Sequence, residues 1–117
     1  MTAVALKVSP PIETIERLFD VDDRDDIRDF LAARPHLVSV LREASERIPG
    51  SFPPGTKASL DLVHHPEPGS RPKLVLRIQT PLPMTEALAR LDRLDEEWWL
   101  DVLPLARGEM TLVVWPA

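Results

Sequence analysis

The sequence predicts an α+β fold in which helices pack on one face of a small antiparallel sheet. Changes in the spacing of apolar residues carry that reading. They recur at helical intervals as far as Ile48, alternate at every second position between Lys57 and Thr80, return to helical intervals after Pro83, and alternate again after Gly108. The thirteen prolines mostly fall between these stretches, where a missing donor and a fixed φ suit a boundary. At 117 residues, 44% hydrophobic and 28% charged, the chain has the composition of one globular domain with one core.

Each element follows in turn. Residues 3–8, AVALKV, read as a short strand or loose arm. Ser9 before Pro10-Pro11 suits a helix start, with Ile12, Ile15 and Phe19 on one side. In DVDDRDDIRD, Asp22 or Asp23 caps a second helix, further acids favour the positive end of its dipole, and Ile27, Phe30 and Leu31 form its buried stripe. After Pro35, Leu37, Val40, Leu41, Ala44 and Ile48 make a clear amphipathic helix that Pro49-Gly50 should end, with Phe52 plugging the core below. KASLDLVH and KLVLRIQT then alternate around the turn residues HPEPGSRP and form a hairpin. EMTLVVW, after Gly108, is the last strand, with Met110, Leu112 and Val114 on one side.

The predicted core order is therefore α-α-β-β-α-β. The simplest sheet is three-stranded, with the last strand antiparallel beside the first hairpin strand. A fourth strand from residues 3–8 would make it ferredoxin-like. Residues 1–19 form an N-terminal arm or short helix, and residues 20–117 a single α+β domain.

The most informative stretch is PMTEALARLDRLDEEWWLDVL, residues 83–103. At about 100° per residue, Met84, Ala87, Leu88, Leu91, Leu94 and Trp98 share one face of a continuous helix, with Glu86, Arg90, Arg93 and Glu97 opposite. Asp95 projects into the apolar face between Leu91 and Trp98. A carboxylate there is costly without a hydrogen bond or a cation. Trp98 and Trp99 are too far apart in angle to enter the same place: either one indole fills the core and Trp99 sits at its edge, where tryptophan often anchors an interface, or both are core, one beneath each side of the sheet edge. Asp92, Asp95 and Glu96, at i, i+3 and i+4, present oxygens on one side and suit either a basic partner or a hard divalent cation.

Other chemistry finds less support. Without cysteine there is no disulfide, thiol nucleophile or thiolate metal site. His64 and His65, adjacent on a strand, point to opposite faces, and His36 stands apart, so zinc is poorly served. The acid run from Asp20 to Asp29 misses the EF-hand pattern, with Asp25 where glycine is needed and Leu31 where glutamate is needed. No GxSxG, P-loop, HExxH or dinucleotide turn is present. A net charge of −5, from 14 basic and 19 acidic residues, argues against nucleic acid. No apolar run reaches the length of a membrane span, and a cytoplasmic location without cofactor is expected.

FLAARPHLVSVLREASERI, the Phe52-Pro53 pair and EALARLDRLDEEWWLD together resemble an uncharacterised family of small bacterial proteins with the segment E-A-L-x-x-L-D-x-x-D-E-x-W-W. The matching positions are Glu86, Ala87, Leu88, Leu91, Asp92, Asp95, Glu96, Trp98 and Trp99, within a likeness covering about residues 27–115. The resemblance implies no particular activity. Short acidic proteins of this kind suggest, by analogy, an antitoxin-like or regulatory subunit. The expected function is thus a non-catalytic interaction module that binds a protein partner through Trp99, Asp92, Asp95 and Glu96, or through the N-terminal arm. The alternatives are a small divalent-metal-dependent hydrolase or nuclease built on the same carboxylates, and a homodimerisation domain.

Overall fold

The alternating stretches and the helical stretches assemble into a mixed four-stranded sheet with helices on one face. The computed structural model describes residues 11–22, 24–64, 66–69, 71–106 and 108–116. Along the chain come α1 (Pro11–Leu18), β1 (Asp20–Val21), α2 (Arg24–Ala32), α3 (Pro35–Ser51), β2 (Lys57–Val63), β3 (Lys73–Thr80), α4 (Met84–Leu94), a π-helical turn (Asp95–Trp99), α5 (Leu100–Ala106) and β4 (Met110–Pro116). The α+β class is as the sequence predicts.

The sheet differs from the expected one in neighbours and in strand count. Its order is β1-β2-β3-β4, with β2 and β3 antiparallel and both outer pairs parallel. The predicted direction of β4, opposite to β2, is retained, but β4 lies beside β3 and not beside β2. Two causes combine. The helical segment from Met84 to Ala106, about 35 Å long at 1.5 Å per residue, carries the chain from the end of β3 back to its start, so the next strand runs parallel to β3. The outer edge of β2 is meanwhile taken by β1, whose Asp20 and Val21 pair with Ser59 and Leu60. The fourth strand is therefore residues 20–21, and the ferredoxin-like alternative does not describe this sheet. Residues 3–8 and the caps proposed at Ser9 and Asp23 lie outside the described residues.

The core is the layer between the inner sheet face and the helices. Leu60 and Leu62 of β2, Leu74, Leu76 and Ile78 of β3, and Met110 and Leu112 of β4 are buried in one cluster with Ile15, Ile27, Leu31, Leu37, Leu41 and Ile48 of the helices. The predicted stripes of α2 and α3 are all buried. Helix α3 runs further than expected. Pro49 lies inside its last turn, and the Phe52 N–H closes the end on the Ile48 carbonyl at 2.9 Å. Phe52 is buried, as its place under the turn predicts. Thr80, the buried polar residue of β3, shares a hydrogen bond of 3.0 Å with Thr56, whose hydroxyl also contacts the Pro53 carbonyl.

The tryptophan-bearing helix departs most from its expected form. Helical hydrogen bonding continues from α4 to α5, but the five residues Asp95–Trp99 form a π turn. A π turn is in effect one residue inserted into an α-helix. It delays the rotation, so that Trp98 and Trp99 both enter the core, at 2% and 7% exposure, with ring centroids 5.7 Å apart. After the turn, Val102 packs against the core and Ala106 is fully buried. Before it, Ala87 and Leu94 are buried and Leu91 is half-buried, while Met84 and Leu88 of the predicted apolar face stand exposed.

Two stability measurements test this packing. Trp98→Ala and Trp99→Ala should each lower the free energy of unfolding in urea by about 3–5 kcal/mol, with neither residue spared. Deleting the exposed Glu97 should let residues 84–106 close as an uninterrupted α-helix while Leu100–Ala106 keep their phase. That variant loses the turn that brings both indoles inward and is expected to melt well below the parent, as should an alanine inserted after Glu97, which turns Val102 and Ala106 off the core.

Candidate functional site

The residues predicted to bind a partner are separated by the π turn into different environments. Trp99 is buried and offers no exposed anchor, because the extra residue turns its indole inward. Asp95 is half-buried at the start of the turn, and no described side chain forms a hydrogen bond or ion pair with it. Arg77 lies 3.6 Å from Asp61 and forms no ion pair with Asp95. The Trp98 indole N–H is buried without an acceptor and so does not reach Asp95 either. Burial, with the nearby charges of Asp92 and Glu96, pushes the Asp95 carboxyl above its usual range. Asp92 and Glu96 remain exposed. No three acid or imidazole groups among the described residues gather to hold a metal ion, the helix carboxylates included.

A charged cluster that sequence spacing does not reveal lies where α2 meets α3. Helix α2 ends at Ala32, and Pro35 starts α3 at a position that needs no backbone donor. Arg34, between them, projects across Phe30, its guanidinium carbon 3.9 Å from the ring centre. Its Nε donates to Oε2 of Glu109 at 2.5 Å, and Nη1 donates to the Phe30 carbonyl at 3.2 Å. His36 Nε2 lies 3.2 Å from the other Glu109 oxygen. Burial raises the Glu109 pKa, but the hydrogen bonds and positive charge of Arg34 and His36 outweigh it and hold the carboxyl below its usual range.

Beside this cluster opens a cavity of about 330 Å³, lined by Arg34, His36, Arg71, Pro72, Gly108 and Glu109. Gly108 takes a φ of 73° at the turn into β4, a conformation that suits glycine. A shallower groove on the other side of Arg34 and Pro72 carries Asp26, Asp29 and His64. The arrangement can hold an ionised carboxylate and present positive charge beside it. His36 and His64 line different depressions.

The remaining surface feature is the sheet itself. Its outer face carries Val75, Arg77, Val113 and Trp115, with Trp115 49% exposed and the Arg77 guanidinium 5.6 Å from its ring centre. Strand β4 forms one border of the sheet. The Leu74 N–H donates to the Glu109 carbonyl at 2.8 Å, and Leu74 is in register with Met110. In a parallel ladder of that phase, residues 109, 111, 113 and 115 direct their backbone groups to β3. Met110, Leu112 and Val114 then direct theirs outward, and no described residue pairs with them. No described helix is long and apolar enough to cross a membrane. Comparison with protein-family models, curated proteins and solved structures finds no match to this chain.

The two perturbed carboxyls predict opposite responses to pH. Asp95 binds its proton more tightly in the folded chain, so its ionisation costs stability as pH rises from its ordinary range through its raised pKa. Asp95→Asn should therefore stabilise the protein at pH 7 and make no difference well below pH ~4. Glu109 binds its proton less tightly when folded, so its contribution is full above the ordinary carboxylate range and fades as pH falls through its lowered pKa. Glu109→Gln should cost about 1–3 kcal/mol at neutral pH, and the gap should close on acidification. Urea denaturation across pH 2–8 resolves both.

Proposed function

We propose that this chain is a non-catalytic protein-interaction module whose docking element is β4. The observation that carries the reading is an edge of seven residues, MTLVVWP, without a charge in it and paired on its outer side by no described residue. An open strand edge exposes unpaired donors and acceptors, and monomeric proteins commonly blunt such edges with lysine, proline, bulges or brevity. Among the described residues of the strand, Pro116 at the far end is the one such device. An extended segment laid along β4 would satisfy the outward groups of Met110, Leu112 and Val114, the mode of recognition known as strand addition. The apolar neighbours Val113 and Trp115 on the outer face would supply side-chain contact.

A partner protein contributing such a segment is the first reading. A second copy of this chain is the alternative, favoured by the symmetry of the outward groups. Antiparallel pairing centred on Leu112 sets Met110 opposite the partner's Val114 and Thr111 opposite the partner's Val113. The acids Asp92 and Glu96 remain exposed on the helix and can add attraction to a basic partner.

Replacing Thr111 and Val113 together by lysine tests the edge, because both side chains leave the outer face and their loss opens no core cavity. Light scattering should give twice the 13.2 kDa chain mass, or capture from native lysate should recover a partner. The double variant should revert to a monomer that recovers nothing. In the associated protein the Leu112 and Val114 amides should resist hydrogen exchange and lose that protection in the variant. Association unchanged by the two lysines would overturn the reading.

A further inference from the structure

We propose that the cavity at the α2–α3 joint binds a small oxyanion, a carboxylate or phosphate group, through Arg71 and the unengaged side of the Arg34 guanidinium. Its volume of about 330 Å³ is that of a small-ligand pocket. Its lining is the reverse of the molecule's overall charge. In a chain of net charge −5, two arginines and a histidine meet here against one carboxylate.

That carboxylate is already occupied. Glu109 receives Arg34 Nε on one oxygen and faces His36 Nε2 with the other. It therefore does not compete for Arg71, which forms no ion pair with a described residue. Arg34 is fixed by Glu109, by the Phe30 carbonyl and by the Phe30 ring. Its Nη2 makes no hydrogen bond to a described residue. A guanidinium held in place with an N–H to spare, beside a second arginine free to move, matches the planar donor geometry that recognises carboxylate and phosphate oxygens. Asp26 and Asp29 line a separate groove that shares Arg34 and Pro72, and they do not line the cavity.

The test uses the full chain in sodium phosphate, sodium acetate and sodium chloride at equal ionic strength and pH. Melting temperature and the His36 ring signals in NMR are followed as each salt is titrated. A saturable rise in melting temperature in phosphate or acetate over chloride, with the His36 signals moving in step, is expected. A response to phosphate alone marks a phosphate ligand, and a response to acetate alone marks a carboxylate. Arg71→Gln, on an exposed side chain, should melt like the parent in chloride and bind the responding anion at least tenfold more weakly. Identical behaviour in all three salts, or an Arg71→Gln chain that titrates like the parent, would overturn the proposal.

Discussion

Two adjacent indoles must be buried from a single helix, and much of the architecture answers to that demand. Neighbouring residues on an α-helix point about 100° apart, too wide for both to face one sheet and its flanking helix at the centre of the layer. The π turn at Asp95–Trp99 narrows the angle by admitting an extra residue. Trp98 and Trp99 then both join the core cluster, and the segment after the turn keeps Val102 and Ala106 inward. The same rotation leaves Asp95 half-buried beside Asp92 and Glu96, which accounts for its raised pKa without assigning it a task.

What the sequence disclosed and what it concealed divide by distance along the chain. Helix and strand periodicity is local, so the stripes Ile27-Phe30-Leu31 and Leu37-Val40-Leu41-Ala44-Ile48, and the alternation in β2, β3 and β4, could be read directly. Strand order is not local. It depends on β1, two residues long, occupying the outer edge of β2. The Trp-Trp pair announced a conflict, but not that a π turn would resolve it. The exposure of Met84 and Leu88 was hidden for a related reason, since a helical wheel gives a face its direction but not the width that its neighbours cover. The Arg34–Glu109 contact joins residues 75 positions apart, and nothing near either one marks it.

The charged joint and the β4 edge are linked through Glu109. That residue receives Arg34 at the α2–α3 joint, and its own carbonyl accepts the hydrogen bond that sets the phase of the β3–β4 ladder. The joint thus fixes where β4 begins, and with it which backbone groups point outward. On the outer sheet face Arg77 leans toward both Trp115 and Asp61.

The brevity of β1 has a consequence for assembly. Because the strand at the opposite border spans only Asp20 and Val21, the described sheet has a long edge at β4 and a very short one at β1. Copies that joined through β4 would bury the long edge of each and leave little for a third to continue from. Growth would terminate at a closed pair and not run on into a filament.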